Sequence, residues 1–265
     1  MTLSGLSFRA VSLVLAATRA VASPSVYQAF CERVAGEALR EMGIGTSEDF
    51  EKNGELAFVG SLPAGSCVID VGAHAGEFAR AVQKSVPGSA VHCFEPAPAP
   101  FEKLRLISGI VANNVALGDK AGVVEMHSDR PGSKLASLYK RRLDHFGIQF
   151  THRYSVTVDT LDAYCARTGL ESIELLKLDA EGHELSVLRG AHDLLSRGAV
   201  RKILFEFGGT DIDSRTFLQD FFYLLSEHGF TLHRLLRHGM LHAIPEYREL
   251  YEQFVYTNYV ALRKS

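Results

Sequence analysis

From Cys67 onward the chain alternates short apolar, β-rich runs with segments of helical spacing, and that order admits few folds. Strand-like runs fall at 67–71, 90–95, 115–117, 174–179 and 202–207, with helical spacing at 76–86, 98–107, 182–196 and 216–228. Alternation of this kind predicts an α/β protein with a doubly wound parallel sheet. Two final runs, 230–236 and 254–262, come with no ordinary helix between them and predict an antiparallel pair at the sheet's edge. One stretch breaks the rhythm. Between Leu117 and Ile173 lie a β-rich run at 123–127, a Pro-Gly-Ser turn at 131–133, the basic run Lys140, Arg141 and Arg142, and an alternating run at 153–158. They predict a hairpin-like insertion at about 120–158, at the rim of the sheet where specificity tends to be set. Ser133 and Ser137 are expected in a solvated turn there, and the basic run on a solvated face.

With 265 residues, 46% hydrophobic and 22% charged, the chain can bury one good core. A formal net charge of -3 argues against a nucleic-acid partner. Cys31, Cys67, Cys93 and Cys165 show no C-x-x-C spacing, which predicts neither a disulfide framework nor a zinc site and points to a reducing, cytoplasmic setting. Residues 1–50 read as an N-terminal helical extension and 51–265 as the main domain. The apolar segment 3–22 ends in A-V-A before Ser23, as a signal peptide would, yet Arg19 directly precedes that site. Only nine residues separate Arg9 from Arg19, too few to span a bilayer. At helical spacing Gly5, Arg9, Ser12, Ala16, Arg19 and Ser23 form one narrow stripe, which predicts a helix packed on the domain. The alternatives are peripheral contact with a membrane or a subunit contact, with a homo-oligomer among the states considered.

Residues 70–76 read D-V-G-A-H-A-G, and Glu95 ends the next strand. In an open α/β sheet the ligand sits beyond the carboxyl ends of the strands, where strand order reverses. Gly72 is expected to let the backbone turn and approach a ligand closely, Gly76 to start the helix without crowding the sheet, and Glu95 to accept both hydroxyls of a ribose. A dinucleotide fingerprint would need G-x-G-x-x-G; here Asp70 stands where a diphosphate would be repelled. A carboxylate there suits a cationic tail instead. S-adenosyl-L-methionine carries an ammonium, a sulfonium and a ribose, and is the expected cofactor.

Taken in order, 68–76 (VIDVGAHAG), 94–98 (FEPAP), 114–119 (NVALGD), 177–184 (KLDAEGHE), 187–190 (VLRG) and Glu206-Phe207 resemble the motifs of the FkbM-type S-adenosylmethionine-dependent methyltransferases. The resemblance covers 50–262 and leaves the N-terminal helix outside. It implies a class I methyltransferase, Rossmann-like fold with seven strands, the last antiparallel, and methyl transfer to a hydroxyl. Carried over by residue, it places Asp70, Gly72, His74 and Gly76 at the methionine end, Glu95 at the ribose, and Asn114, Ala116 and Asp119 near the adenine, with capping of the Gly118 turn an equal reading of Asp119. His74 departs from the asparagine common there.

A hydroxyl attacks a sulfonium methyl efficiently only when a base lies within reach of its proton. The end of the fourth strand supplies Lys177, Asp179, Glu181, His183 and Glu184. Lys177 and Asp179 alternate on one face, and Asp179 ends an apolar strand, which makes it the first candidate base or hydroxyl binder. His183 is a second proton acceptor and Glu206, ending the fifth strand, a third acidic group. Glu184 reads as a helix-start charge. The spacing of these acids predicts no metal. The expected activity is O-methylation of a sugar, glycoconjugate or polyketide-like natural product, the partner being a small-molecule or glycan hydroxyl. The competing readings are a catalytically silent binding module of the same fold and, less favoured, an NAD-dependent oxidoreductase. The aromatic cluster Phe217, Phe221, Phe222 and Tyr223 is expected in the core.

Overall fold

The computed structural model describes residues 6–46, 49–50 and 52–264, with side chains from Arg9 onward, so Gly5 of the predicted stripe lies outside the described residues. Helices α1 (Leu6–Val21) and α2 (Pro24–Glu41) form the extension, and α2 starts with proline in its first turn, where a missing N–H loses nothing. After α3 (Glu55–Val59) the alternation begins: β1 (Cys67–Val71), α4 (Glu77–Ser85), β2 (Ala90–Phe94), α5 (Pro98–Leu104) and β3 (Ile110–Asn113). The insertion follows as β4 (Ala116–Leu117), β5 (Gly122–Ser128) and β6 (His152–Asp159). Then come α6 (Leu161–Thr168), β7 (Ile173–Leu178), α7 (Glu184–Arg189), α8 (His192–Ser196), β8 (Val200–Phe207), α9 (Gly209–Ser214) and α10 (Leu218–Glu227). The chain ends with β9 (Phe230–Leu235), β10 (Leu241–Ile244) and β11 (Thr257–Arg263).

The principal sheet has the order β10-β9-β11-β8-β7-β1-β2-β3. Seven of its strands keep the class I methyltransferase order, with β11 antiparallel to both β8 and β9; β10 adds an eighth as a hairpin partner of β9, so the expected closing pair is present but is not the edge. The order reverses at β1, flanked by β2 and β7, and that is where the site must be sought. The third strand differs from expectation. Residues 110–113 fill it, because Asn114 turns the chain by donating to the carbonyls of Glu95 and Pro96, and 116–117 then pair with β6 in the small sheet β4-β6-β5. The helix expected over 182–196 is divided at Gly190, which packs on the carbonyl of Gly118.

Burial follows the two-residue period of strands covered on both faces. Val68, Leu175, Leu204 and Val260 join one cluster with Phe58, Phe78 and Val82, while Ile69, Leu176, Phe205 and Ala261 join the other with Phe221 and Leu225. Phe205 stacks on Phe221 at 4.7 Å between ring centroids, whereas Phe217 and Tyr223 of the predicted aromatic core are exposed. The extension is likewise less buried than expected: α2 buries no side chain, and Val11, Leu13, Val14 and Val21 of α1 are exposed. Anchoring comes after α2, where buried Arg234 donates to Met42 O at 3.0 Å, a cation at a helix C-terminus, and Gly45 N donates to Tyr256 O.

Two glycines separate strain from collision. Gly169 has φ +71° with open space where a Cβ would stand, so Gly169→Ala should lower unfolding free energy by about 1–2 kcal/mol. Gly190 has φ -76°, but its Cβ would lie 1.9 Å from Gly118 O, so Gly190→Ala must push the 118 and 190 backbones apart and should cost more in the same urea titration. Equal costs would contradict this packing.

Candidate functional site

The carboxyl end of β1 runs straight into the glycine turn. Gly72 N and Ala73 N both donate to Phe94 O, so the loop is pinned to the end of β2. Gly72 has φ +78°, and a Cβ would lie 1.7 Å from Asp179 O: the close approach that requires glycine is to the end of β7, not directly to a ligand. Gly76 has φ +83°, and its Cβ would meet Ile107 and Leu104 beside α5. Within this loop Glu95, 5% exposed, accepts from His74 N at 2.8 Å through Oε2 and from Ala97 N at 2.7 Å through Oε1. Burial pushes its carboxyl up to about 7, against the pull of those two N–H groups. Each oxygen keeps a lone pair for a further donor. His74 Nε2 stands 3.3 Å from Gly132 O, which brings the insertion against the loop.

Behind the loop lies a buried charge triad. Parallel pairing sets Asp70 beside Lys177, and alternation then puts Asp179 on the same face. Lys177 Nζ is 3.0 Å from Asp179 Oδ2 and 3.6 Å from Asp70 Oδ1, and it sits 5.0 Å over the ring of Phe78. Burial pulls the ammonium down, but the charges of Asp179, Asp70 and Glu55 outweigh it and hold it above its ordinary value. Asp70 is fully buried with neither oxygen hydrogen-bonded, and burial raises it to about 6 despite Lys177. Asp179, by contrast, leaves 40% of its side chain exposed at the rim.

Register also aligns Glu206 on β8 with Asn258 on β11. Together with Lys177, Asp179, Tyr256 and Glu55 they line a small recess beside the triad, with room for about one water. Glu206 is driven well above the usual carboxylate range by burial and then by Asp179, Glu181 and Glu184. Glu55 Oε1 accepts from Asn53, Asn258 and Tyr256 at 2.6, 2.8 and 3.2 Å. No spacing rule could have found Glu55, Tyr256 or Asn258, because they are brought together from opposite ends of the chain.

The insertion closes the other side. Arg141, expected on a solvated face, keeps only 9% of its side chain exposed between Glu181 at 2.8 Å and Asp213 at 3.6 Å. Ser137, expected in a solvated turn, is fully buried and donates to Glu181 O; Ser133 is buried too. His183 Nδ1 stands 3.1 Å from the Tyr139 hydroxyl, its other nitrogen packs toward Gly118, and burial holds it below its ordinary value. The structure therefore gathers Asp70, Asp179 and Glu206 around one end of the cleft and Glu95, His74 and Asn114 around the other, with His183 on the insertion side. Asp119 bonds Ser186 Oγ through both its N–H and Oδ1, and Ala116 is buried at the start of β4. Glu184 is more than a helix-start charge: it is buried, accepts from Ala180 N and sits at about 7 through burial. Among the described residues no group of three or more His, Cys, Asp or Glu is arranged to hold a metal ion.

Acceptors dominate this cleft. The lone pairs left on Glu95 fit a ligand that brings ribose hydroxyls, while Asp70, buried behind the turn beside Lys177, offers a diphosphate no donor. Sheet order, glycine turn and acidic second-strand end together define the class I methyltransferase fold. The methyltransferase FkbM domain matches residues 70–232, and the chain belongs to that family. It is 32% identical over 200 residues to the 31-O-demethyl-FK506 methyltransferase FkbM of Streptomyces tacrolimicus, covering 64% of this chain and 75% of that protein. It is 29% identical over 154 residues to Methyltransferase 1 of Beauveria bassiana, covering 51% of this chain and 62% of that one. Against the 2-O-methyltransferase NoeI of Sinorhizobium fredii it is 27% identical over 149 residues, covering 49% and 59%. The chain thus spans about three fifths of the length of the last two relatives.

The raised carboxyls set a pH dependence. Glu95 and Glu184 at about 7 and Asp211 at about 8 keep protons in the folded state that the unfolded chain releases near 4.5, 4.5 and 3.8. Their contribution to stability is full below those unfolded values and is lost as pH climbs to about 8. His92 and His183, lowered by burial, act in the opposite sense up to 6.5. Thermal midpoints should therefore fall between pH 6.5 and 8, and Glu184→Gln should flatten the slope; a rise over that interval would contradict the assignment.

Proposed function

We propose that this chain transfers a methyl group from S-adenosylmethionine to a hydroxyl of a sugar, glycoconjugate or polyketide-like natural product. The observation that carries this reading is Asp179, a partly exposed carboxylate on the rim whose orientation is fixed by buried Lys177 at 3.0 Å. Oxygen as the accepting atom is supported by the names of two relatives, a 2-O-methyltransferase and a 31-O-demethyl-FK506 methyltransferase. When bound, S-adenosylmethionine supplies an electrophilic methyl at its sulfonium.

The rest falls to the chain's own side chains. Glu95 holds the ribose through its remaining lone pairs, and the 72–76 turn with Asn114 fixes that carboxylate's surroundings. Asp70 acts from behind, as a buried charge on the turn. Asp179 receives the proton of the attacking hydroxyl while Lys177 keeps it aimed at the cleft. Glu206 binds the acceptor from the next strand, and the insertion, tied down through Arg141 and Ser137, excludes water. Buried free thiols at Cys93 and Cys165 support a reducing compartment such as the cytoplasm. No helix among the described residues is long and apolar enough to cross a membrane.

Calorimetry with S-adenosylhomocysteine tests the reading. The wild type should bind, and Glu95→Ala should bind at least about tenfold more weakly, the loss of a charged hydrogen-bond acceptor. Asp179→Asn should keep that affinity yet slow methyl transfer about 10²-fold or more. A wild-type chain that does not bind the cofactor product sinks the proposal.

A further inference from the structure

Methyl transfer leaves the N-terminal extension without a role. Around its axis α1 carries three stripes at helical spacing. Leu15 and Thr18 are half-buried on the side that packs against α2, and Arg9, Ser12, Ala16 and Arg19 form the polar stripe. The third stripe, Ala10, Leu13, Val14, Ala17 and Val21, is apolar and exposed along its whole length. A face of this kind ordinarily packs on a core; this one is turned to solvent.

The extension leaves from the rim that carries the acidic cleft. Strands β8 and β9 are both antiparallel to β11, so the carboxyl end of β9 lies on the same edge of the sheet as Asp179. There Arg234 donates to Met42 O, and Gly43 comes so close to the end of β9 that a Cβ would stand 2.9 Å from Leu235 O. Gly45 packs on Val255. Val255 and Met240, in the turn after β9, add two more exposed apolar side chains beside that anchor.

Charge decides what covers the stripe. Through residue 31 the sequence holds Arg9 and Arg19 and no Asp or Glu, in a chain whose formal net charge is -3. The same stripe paired with itself across two copies would bring arginines to arginines. An anionic lipid surface instead meets the apolar residues with acyl chains and the cations with phosphates and carboxylates. At 16 residues α1 is about 24 Å long, short of the roughly 30 Å hydrocarbon core, so such a helix lies in the interface and does not cross it.

We infer that α1 docks this protein on an anionic lipid surface, apolar stripe inward, and so holds the rim of the acidic cleft at the membrane face. The docking goes beyond the methyltransferase reading and is measured without turnover.

Flotation of the full chain with extruded vesicles tests this, comparing phosphatidylcholine alone with phosphatidylcholine containing about 30% phosphatidylserine. At equal lipid the wild type should bind the anionic vesicles at least about tenfold more strongly than the neutral ones, the contribution of two cations near a charged leaflet. Leu13→Asp combined with Val14→Asp should abolish flotation with both. Arg9→Gln combined with Arg19→Gln should remove only the preference for anionic lipid. All four side chains are exposed, so each variant should keep the wild-type thermal midpoint, which shows that it folds. Absence of flotation with the anionic vesicles overturns the inference, as does equal flotation with the neutral ones, or flotation that survives both double variants. A lipid-free dimer in sedimentation equilibrium that Leu13→Asp with Val14→Asp dissociates also overturns it, because the stripe then belongs to a second copy.

Discussion

A buried ammonium ion holds this cleft together. Lys177 sits on a central strand, 7% exposed, with Asp70 on the neighbouring strand and Asp179 two residues further along its own. An unpaired charge at that depth would be strongly unfavourable, and breaking one partner of a buried pair commonly costs about 3–5 kcal/mol. The triad therefore constrains sequence at three positions at once. It also fixes the ends of β1 and β7 relative to each other, and both loops of the cleft leave from those ends.

The two halves then follow from backbone contact rather than from side chains alone. Gly72 passes so close to Asp179 O that any Cβ would occupy the same space, so the glycine turn and the acidic rim are a single packed unit. Glu95 extends that unit to β2 by accepting from His74 N, and Asn114 extends it to the end of β3 by donating to Glu95 O. On the far side Arg141 and Ser137 tie the insertion to the Glu181 residue of the same rim. A ligand entering this cleft meets groups that are already oriented, which is the condition for rate acceleration by positioning.

Much of this was legible in the chain itself, and the limits have physical causes. Alternating runs revealed β1, β2, β7 and β8 because strands buried on both faces must be apolar throughout, as Val68, Ile69, Leu175, Leu176 and Leu178 are. The D-x-G-x-x-x-G turn and Glu95 could be read because local backbone geometry dictates them. The third strand was misplaced since both 110–113 and 115–117 are β-prone, and only the side chain of Asn114, capping the preceding strand end, decides between them. Burial of Arg141 and Ser137 was invisible for a different reason: their partners Glu181 and Asp213 lie 40 and 72 residues away, and ion pairs across such distances leave no periodic trace. The same holds for Glu55, whose partners Tyr256 and Asn258 stand about 200 residues off in sequence.

Titration of the Lys177 side-chain amine by nitrogen-15 NMR tests the charge triad most directly. If Asp70 and Asp179 hold the ammonium as described, its resonance stays that of a charged group past pH 10.5, the ordinary lysine value, after exposed lysines have begun to lose their protons. A midpoint at or below 10.5 would mean that burial prevails over the two carboxylates, and that the cleft is not organised by this ion.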